Sequence, residues 1–534
     1  MREPVDLNDK PRRRLKTGQF SDFQLRRVLR QSADQVLSRT SGAPLIPGNA
    51  VRLLKDAEGN FPVWLAAIGS AQKSIYFENY IFSEDDVGNA FAEALCSRAR
   101  AGVKVRVVRD WLGSWPTSSR KFWRKMTEAG VELRAFNPPR LDSPFGWLSR
   151  DHRKMVSVDS NVAFVSGLCI SQRWQGDPQK GTESWRDTGL EIRGPAVMAV
   201  EDAFAEVWGT IGTPIPEAER PTSEDHSPAG DVAVRVLAGA PNTAGLFRMD
   251  QLVAAAARQT LWLTDAYFVG VAPYVQALRA AARDGVDVRL LVPNTTDLPL
   301  VRSLSRAGYR PLLEAGVRIF EWNGPMIHAK TAVADRRWSR VGSSNLNIAS
   351  FLGNYELDVA IDDEDVARAM EQMYLEDLTR STEVLLSYKR WRRAVRKAVL
   401  HPATPRERRR GKSRAKGSTA AAGAIRIANA VGAAISNHRV LGAAESQVLL
   451  LSGLTLLALA ALAVIWPYGL AIPVAALATW VGGALIWRAF RLRAERAREK
   501  DADLEPEDRR EESAPASPPA ANMGVTQNPS REPQ

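Results

Sequence analysis

A chain of 534 residues exceeds what one hydrophobic core organises, so two core-forming units with appendages are expected. Only two cysteines occur, Cys96 and Cys169, in no paired pattern, which excludes a disulfide framework and a zinc finger. The formal charge of +12 favours anionic partners, whether nucleic acid, a lipid surface or a phosphate-bearing substrate, without choosing among them.

Residues 1–47 form a basic N-terminal segment with Arg12, Arg13, Arg14 and Lys16. No apolar run follows them that could serve as a signal-peptide core, so the body is expected on the cytoplasmic side. One helical stretch here mixes Phe20, Phe23, Val28, Leu29 and Val36 with Arg26, Arg27 and Arg30. That pattern suits a membrane-surface helix and an ordinary packing helix equally.

From residue 48 apolar periodicity alternates between helix and strand. Phe61–Ala71 reads as helix, Ser74–Phe82 as strand, Gly88–Ala101 as helix and Val103–Arg109 as strand, which predicts an α/β unit over 48–215. A polar stretch at 216–231 reads as a linker. The order then returns over 232–385: helix Met249–Arg258, strand Thr260–Phe268, helix Pro273–Arg283, strand Val286–Val292. Local wording returns too, since Ala101-Gly102-Val103-Lys104-Val105-Arg106 is echoed by Asp284-Gly285-Val286-Asp287-Val288-Arg289. The chain is therefore expected to be an internal duplication, each repeat a mixed sheet flanked by helices.

Composition changes after 385. Residues 386–440 are a basic juxtamembrane segment, and 441–490 hold two uncharged apolar runs, Val448–Trp466 and Gly469–Trp487, parted by Pro467 and Tyr468. Each run approaches the roughly 20 residues a spanning helix needs, so a transmembrane helical hairpin is predicted. Arginines on both outer flanks, Arg439 before and Arg488, Arg491 and Arg493 after, place both ends in the cytoplasm. The charged, then Pro- and Ser-rich, stretch 491–534 reads as a disordered cytoplasmic tail.

The decisive pattern concerns histidine, which occurs only five times. His152-Arg153-Lys154 is followed by Asp159, and His328-Ala329-Lys330 by Asp335, at equivalent places in the two repeats. Lys154–Val158 and Val162–Ser166 read as strands joined by a turn at Asp159-Ser160-Asn161, and the second motif repeats this. On a strand, positions i and i+2 share a face, so each His and its Lys point to one place. Apposed repeats then gather two imidazoles and two ammonium groups. One imidazole can attack phosphorus while the other handles the proton of the alcohol, and the lysines can stabilise phosphate charge without a metal or another cofactor. His226, His401 and His438 read as surface residues.

With Glu78-Asn79-Tyr80-Ile81-Phe82, Asp110–Ser114, Trp185-Arg186-Asp187-Thr188, Gly194-Pro195-Ala196-Val197 and Gly342-Ser343-Ser344-Asn345-Leu346-Asn347, the chain resembles the phospholipase D superfamily over roughly 48–380, and more narrowly bacterial cardiolipin synthases. The resemblance implies tandem repeats with the active site between them and a phosphatidyl transfer to phosphatidylglycerol through a phosphohistidine. It makes His152, Lys154, Asp159, His328, Lys330 and Asp335 the candidate catalytic set. His152 is implied as nucleophile, and Lys154, Lys330 and Asn345 as phosphate contacts. Asp187 and Glu356 would orient the imidazoles, and Asp159 and Asp335 would stabilise the turns. The first repeat departs from the pattern, with Cys169 where the second has Asn345; a thiol is a poor donor, and packing behind the strand is the expectation for it. Phospholipids and an anionic membrane surface are the implied partners, at the cytoplasmic membrane, with no nucleic acid; the oligomeric state stays open. A hydrolytic phospholipase D and a nuclease of the same superfamily share the machinery.

Overall fold

The computed structural model describes residues 22–139, 148–220, 227–386, 439–440, 454, 457–458 and 460–503. The first repeat contributes β1 Ile46–Lys55, β2 Ser74–Asn79, β3 Lys104–Asp110, β4 Glu132–Phe136, β5 Lys154–Val158, β6 Val162–Ser166 and β7 Thr188–Arg193. The second contributes β8 Val232–Gly239, β9 Thr260–Thr264, β10 Asp287–Pro293, β11 Arg318–Trp322, β12 Thr331–Ala334, β13 Trp338–Gly342 and β14 Glu356–Asp362, with β15 Ser381–Leu385 and then β16 Arg439–Val440 beyond β11.

The duplication is topological as well as verbal. Sheet order runs β1-β7-β6-β5-β2-β3-β4 in one repeat and β8-β14-β13-β12-β9-β10-β11 in the other. In both, the strands corresponding to β2, β3 and β4 are parallel and the rest antiparallel. Where the sequence predicted a mixed sheet for each repeat, β1 and β8 pair antiparallel and join the two into one continuous sheet.

Both faces of this sheet are covered, which is why β5, β6 and β11 are buried at every position and read as unbroken apolar or mixed runs. Helices Asp56–Ser70, Asp86–Arg100 and Arg120–Glu128 cover one face of the first repeat through Trp64, Phe91 and Trp123. Helices Gly245–Ala256 and Ala272–Arg283 do the same for the second through Met249, Tyr274 and Leu278. A third core, with Phe204, Trp208, Trp262 and Tyr374, spans both repeats beneath helices Ala196–Thr210 and Glu364–Thr379.

Two predicted strands run too far. β2 stops at Asn79, beyond which the Phe82 N–H donates to Ser114 Oγ at 3.3 Å, and β9 at Thr264, beyond which Asp265 accepts hydrogen bonds from the N–H of Tyr267 at 2.9 Å and of Leu346 at 2.6 Å. The ambiguous N-terminal helix, Asp22–Ser41, packs on the second repeat through its C-terminal half: Arg235 of β8 donates to Ser38 Oγ at 2.6 Å and pairs with Asp34 at 3.3 Å. Burying a guanidinium demands such partners.

The C-terminal unit is a helix over Pro467–Asp503, which takes in the second predicted apolar run. Ile472, Val474, Leu477, Ile486, Trp487 and Phe490 are exposed on it. Among the described residues no helix is long and apolar enough to cross a membrane. Residues 448–453, 455, 456 and 459 of the first run lie outside the described residues, as do His226, His401 and His438.

Candidate active site

The two motif strands begin side by side with the ends of their parallel neighbours. Lys154 lies opposite Asn79, the last residue of β2, and Thr331 opposite Thr264 of β9. The His and Lys of each motif therefore sit at the C-terminal ends of the parallel strands, the usual end for ligands in such sheets. His152 is 9% exposed, His328 3%, Lys154 0% and Lys330 1%, so the lysines stand where an ammonium is costly unless a counter-charge arrives.

The imidazoles are braced crosswise. His152 Nδ1 lies 3.0 Å from Glu356 Oε2, a residue of the second repeat. His328 Nδ1 lies 2.8 Å from Asp187 Oδ2, a residue of the first. Their backbones cross too: the N–H of His152 donates to the carbonyl of Tyr355 at 2.9 Å, and that of His328 to the carbonyl of Arg186 at 2.7 Å. Each carboxylate thus fixes Nδ1 as the protonated nitrogen and leaves Nε2 as the reactive one.

The carboxylates are themselves fixed. Asp187 accepts from Trp174 Nε1 at 2.9 Å and from the Thr188 N–H at 2.8 Å. Glu356 accepts from Ser343 Oγ and Ser350 Oγ, both at 2.6 Å. Positions Gly167 and Ser343 are equivalent, each thirteen residues beyond its motif lysine. A Cβ on Gly167 would come within 2.2 Å of Asp187 Oδ1, so this half requires glycine where the other uses a serine hydroxyl.

Burial pushes the Asp187 carboxyl up, but the hydrogen bond and charge of His328, with Lys330, outweigh it and hold the group below its ordinary range. Glu356 is likewise held low against burial by His152 and Lys154. Burial lowers the His152 imidazole despite Glu356, and burial together with Lys330 lowers His328 to about 4. Both pairs therefore rest at neutral pH as carboxylate and neutral imidazole. Lys330 is lowered to about 8 by burial and by Lys154.

The halves differ around Nε2. Both lysines donate to the carbonyl of their own histidine, but Lys330 Nζ also lies 2.9 Å from both ring nitrogens of His328. The lysines' surroundings differ as well: Lys154 lies across the strands from Asn79, whereas the Asp265 carboxylate is near enough to act on Lys330. Asn345 is 4% exposed and its Oδ1 has no protein partner, while Cys169 at the matching position is buried, with Lys154 and Lys330 near enough to act on its thiol.

Asp159 and Asp335 lie elsewhere. Each sits in a turn with two successive positive φ values, 52° and 57°, beyond a strand that separates it from the imidazole by roughly 16 Å. Asp159 accepts from the N–H groups of Gln72, Lys73 and Ser74 at 2.7, 2.7 and 2.9 Å. Asp335 accepts from those of Arg258, Gln259 and Thr260 at 2.8, 2.7 and 2.9 Å. They lock each motif hairpin onto the start of β2 or β9, and the site holds neither carboxylate.

Several neighbours escaped the sequence reading. Tyr80 packs 5.0 Å from the His152 ring and Tyr267 5.8 Å from the His328 ring; a tyrosine just past β2 and again past β9 was the available signal. Trp174 lies edge-on to His328 at 5.0 Å. Arg153, between His152 and Lys154, is fully buried and ties the repeats together, donating to the Glu356 carbonyl at 3.1 Å and the Gly239 carbonyl at 3.0 Å. Nothing in the sequence marked it, since its counterpart is Ala329. A cavity of about 650 Å³ beside Asp56, Arg186, Asp377 and Arg380 takes in neither motif histidine nor motif lysine; the chemistry of the side chains, not the volume, locates the site.

A family profile described as "Cardiolipin synthase, PLD-like domain" matches residues 64–208 and 252–378. The chain is 31% identical over 349 residues to the cardiolipin synthase of Alkalihalophilus pseudofirmus, covering 64% of this chain and 69% of that one. It is 32% identical over 351 residues to cardiolipin synthase A of Pseudomonas aeruginosa, covering 65% and 71%. Among solved structures, phosphatidylserine synthase of Haemophilus influenzae superposes with a TM-score of 0.52 at 14% identity, covering 66% of this chain and 91% of that one, a likeness of fold.

Proposed function

Because the chain belongs to the phospholipase D-like family of cardiolipin synthases, and is thus a phosphatidyltransferase acting on phospholipids, we propose that it transfers a phosphatidyl group to phosphatidylglycerol through a phosphohistidine. The observation that carries this reading is the crosswise bracing of two imidazoles, each with Nδ1 tied to a carboxylate of the other repeat.

His152 is the nucleophile. It is the more exposed imidazole, and of the two motif lysines it is Lys330 that reaches ring nitrogens, those of His328, in addition to the carbonyl. Nε2 attacks phosphorus, the bond to the leaving glycerol oxygen breaks, and His328 gives that oxygen its proton. The neutral His328 then takes a proton from the hydroxyl of a second phosphatidylglycerol, which attacks the phosphohistidine and frees His152. An imidazole resting near 4 cannot donate at neutral pH until something raises it. The anionic phosphodiester does so by its own charge, and Lys154, Lys330 and Asn345 hold the non-bridging oxygens. Asp187 and Glu356 orient the rings, and Asp159 and Asp335 position the hairpins that carry them.

The test uses the purified full chain with labelled phosphatidylglycerol in mixed micelles, without added divalent cation. Cardiolipin with an equal yield of glycerol is expected; phosphatidic acid as the only lipid product would make the enzyme a hydrolase, and cleavage of nucleic acid without lipid turnover would overturn the reading.

The enzyme is further proposed to sit at the cytoplasmic membrane, its catalytic side inward, held by a hairpin over 441–490 and by the basic segment 386–440 on anionic headgroups. Each basic residue near such a surface contributes about 1 kcal/mol. Deleting 441–490 should move most of the protein from the membrane pellet to the supernatant; full retention in the pellet would show that another part of the chain anchors it.

A further inference from the structure

The C-terminal ends of the parallel strands carry more than the histidines. Within the two repeats, exposed large apolar side chains gather at this end: Trp115, Leu148, Leu298, Leu300, Ile348 and Leu352. Trp115 and Leu300 come from equivalent connections, those leaving β3 and β10, and Leu304 extends the Leu300 row by one helical turn. Leu148 lies four residues before His152, and Ile348 and Leu352 follow Asn345. Trp115 stacks on Trp111 with ring centroids 5.3 Å apart at 10°, so the pair forms a rigid aromatic projection. Among the other described residues from 22 to 386, the comparably exposed large apolar side chains are Val36 of the N-terminal helix and Leu375.

A soluble surface scatters exposed apolar groups; a cluster at one end marks contact with something apolar. Charge beside the cluster selects the occupant. Helix Arg120–Glu128 starts just after Trp115 and presents Arg120, Lys121, Arg124 and Lys125 to solvent. Tryptophan next to lysine and arginine is the composition of a bilayer interface, the indole at headgroup depth and the cations toward phosphate.

We infer that this rim is a membrane-docking face of the catalytic body itself: Trp115, Leu300 and their neighbours enter an anionic phospholipid leaflet, so that a lipid phosphodiester reaches His152 while its acyl chains stay in apolar surroundings. The inference rests on the phosphatidyltransferase reading. It makes the rim act on lipids in a bilayer and leaves the chemistry at the histidines untouched.

The test uses the full chain carrying Trp115→Ser and Leu300→Ser together, positions 63% and 73% exposed, where the change costs the fold little. Turnover is compared on vesicles of long-chain phosphatidylglycerol and on dihexanoyl phosphatidylglycerol below its micelle concentration. The expected result is a loss of kcat/KM of about tenfold or more on vesicles with less than about twofold change on the monomeric lipid. Undiminished vesicle turnover, or an equal loss on both substrates, overturns the inference; a parent protein that turns over neither lipid overturns the phosphatidyltransferase reading and the inference with it.

A second measurement needs no activity. Both native cysteines are buried, so a fluorophore on Trp115→Cys labels selectively. In proteoliposomes it should be quenched by nitroxide-bearing acyl chains, and the same label on Lys104→Cys, at the opposite end of β3, should not. Equal quenching at both sites, or none at Trp115→Cys, overturns the inference.

Discussion

Alanine at His152 is expected to abolish phosphatidyl transfer, a loss of at least about 10⁴-fold in kcat, because no other side chain can become the covalent carrier. His328→Ala should be nearly as severe on phosphatidylglycerol, whose glycerol oxygen leaves only with a proton. The two variants separate when the leaving group needs no acid. With phosphatidyl-p-nitrophenol, His328→Ala should recover a burst of nitrophenol and accumulate the lipid on His152, since the second step still lacks its base. His152→Ala should show neither. Mass spectrometry of the His152 peptide makes the distinction direct: an adduct on the His328 peptide would exchange the two roles, and full turnover of phosphatidylglycerol by either variant would sink the shared site.

The braces should matter almost as much as the rings. Asp187→Asn keeps the size of the side chain at His328 but removes the charge and offers Nδ1 an amide that can flip, so the wrong tautomer becomes accessible. A fall of about 10²- to 10⁴-fold in kcat is expected. The pH profile fixes the mechanism. Asp187 raises the His328 imidazole against the burial that lowers it. Removing that carboxylate must lower His328 further, so the protonated acid is lost sooner as pH rises and the alkaline limb of kcat moves to lower pH. Glu356→Gln should lower His152 in the same way, since Glu356 raises it, and produce a weaker nucleophile with an acid limb moved to lower pH. An unchanged profile with only a lower Tm would mean that the carboxylates hold the fold and not the tautomer.

Both experiments turn on pairs that sequence order does not reveal. The motif spacing placed each His beside its Lys, because a strand repeats every two residues and nothing tertiary is needed to bring i and i+2 to one face. The turn at Asp159-Ser160 was equally local, since successive positive φ values favour short polar residues that tolerate them. Strand ends were less legible. Tyr80 to Phe82 and Tyr267 to Phe268 have strand composition, yet they leave the sheet: the Phe82 N–H turns to Ser114 Oγ and the Tyr267 N–H to Asp265.

What the sequence alone determined, then, was the duplication, the α/β class and the four cationic or titratable side chains at one end of two hairpins, all consequences of local periodicity and repeated wording, with Asp187 and Glu356 as carboxylates of interest through the family resemblance. What only the tertiary structure decided was the partnership. Glu356 serves His152 and Asp187 serves His328, 204 and 141 residues away in sequence. Arg153 is committed to binding the repeats together, and Asp159 and Asp335 to backbone N–H groups remote from the imidazoles. The physical reason is that a buried charge must find its counter-charge wherever the fold brings one, and here the joined sheet brings it from the opposite repeat.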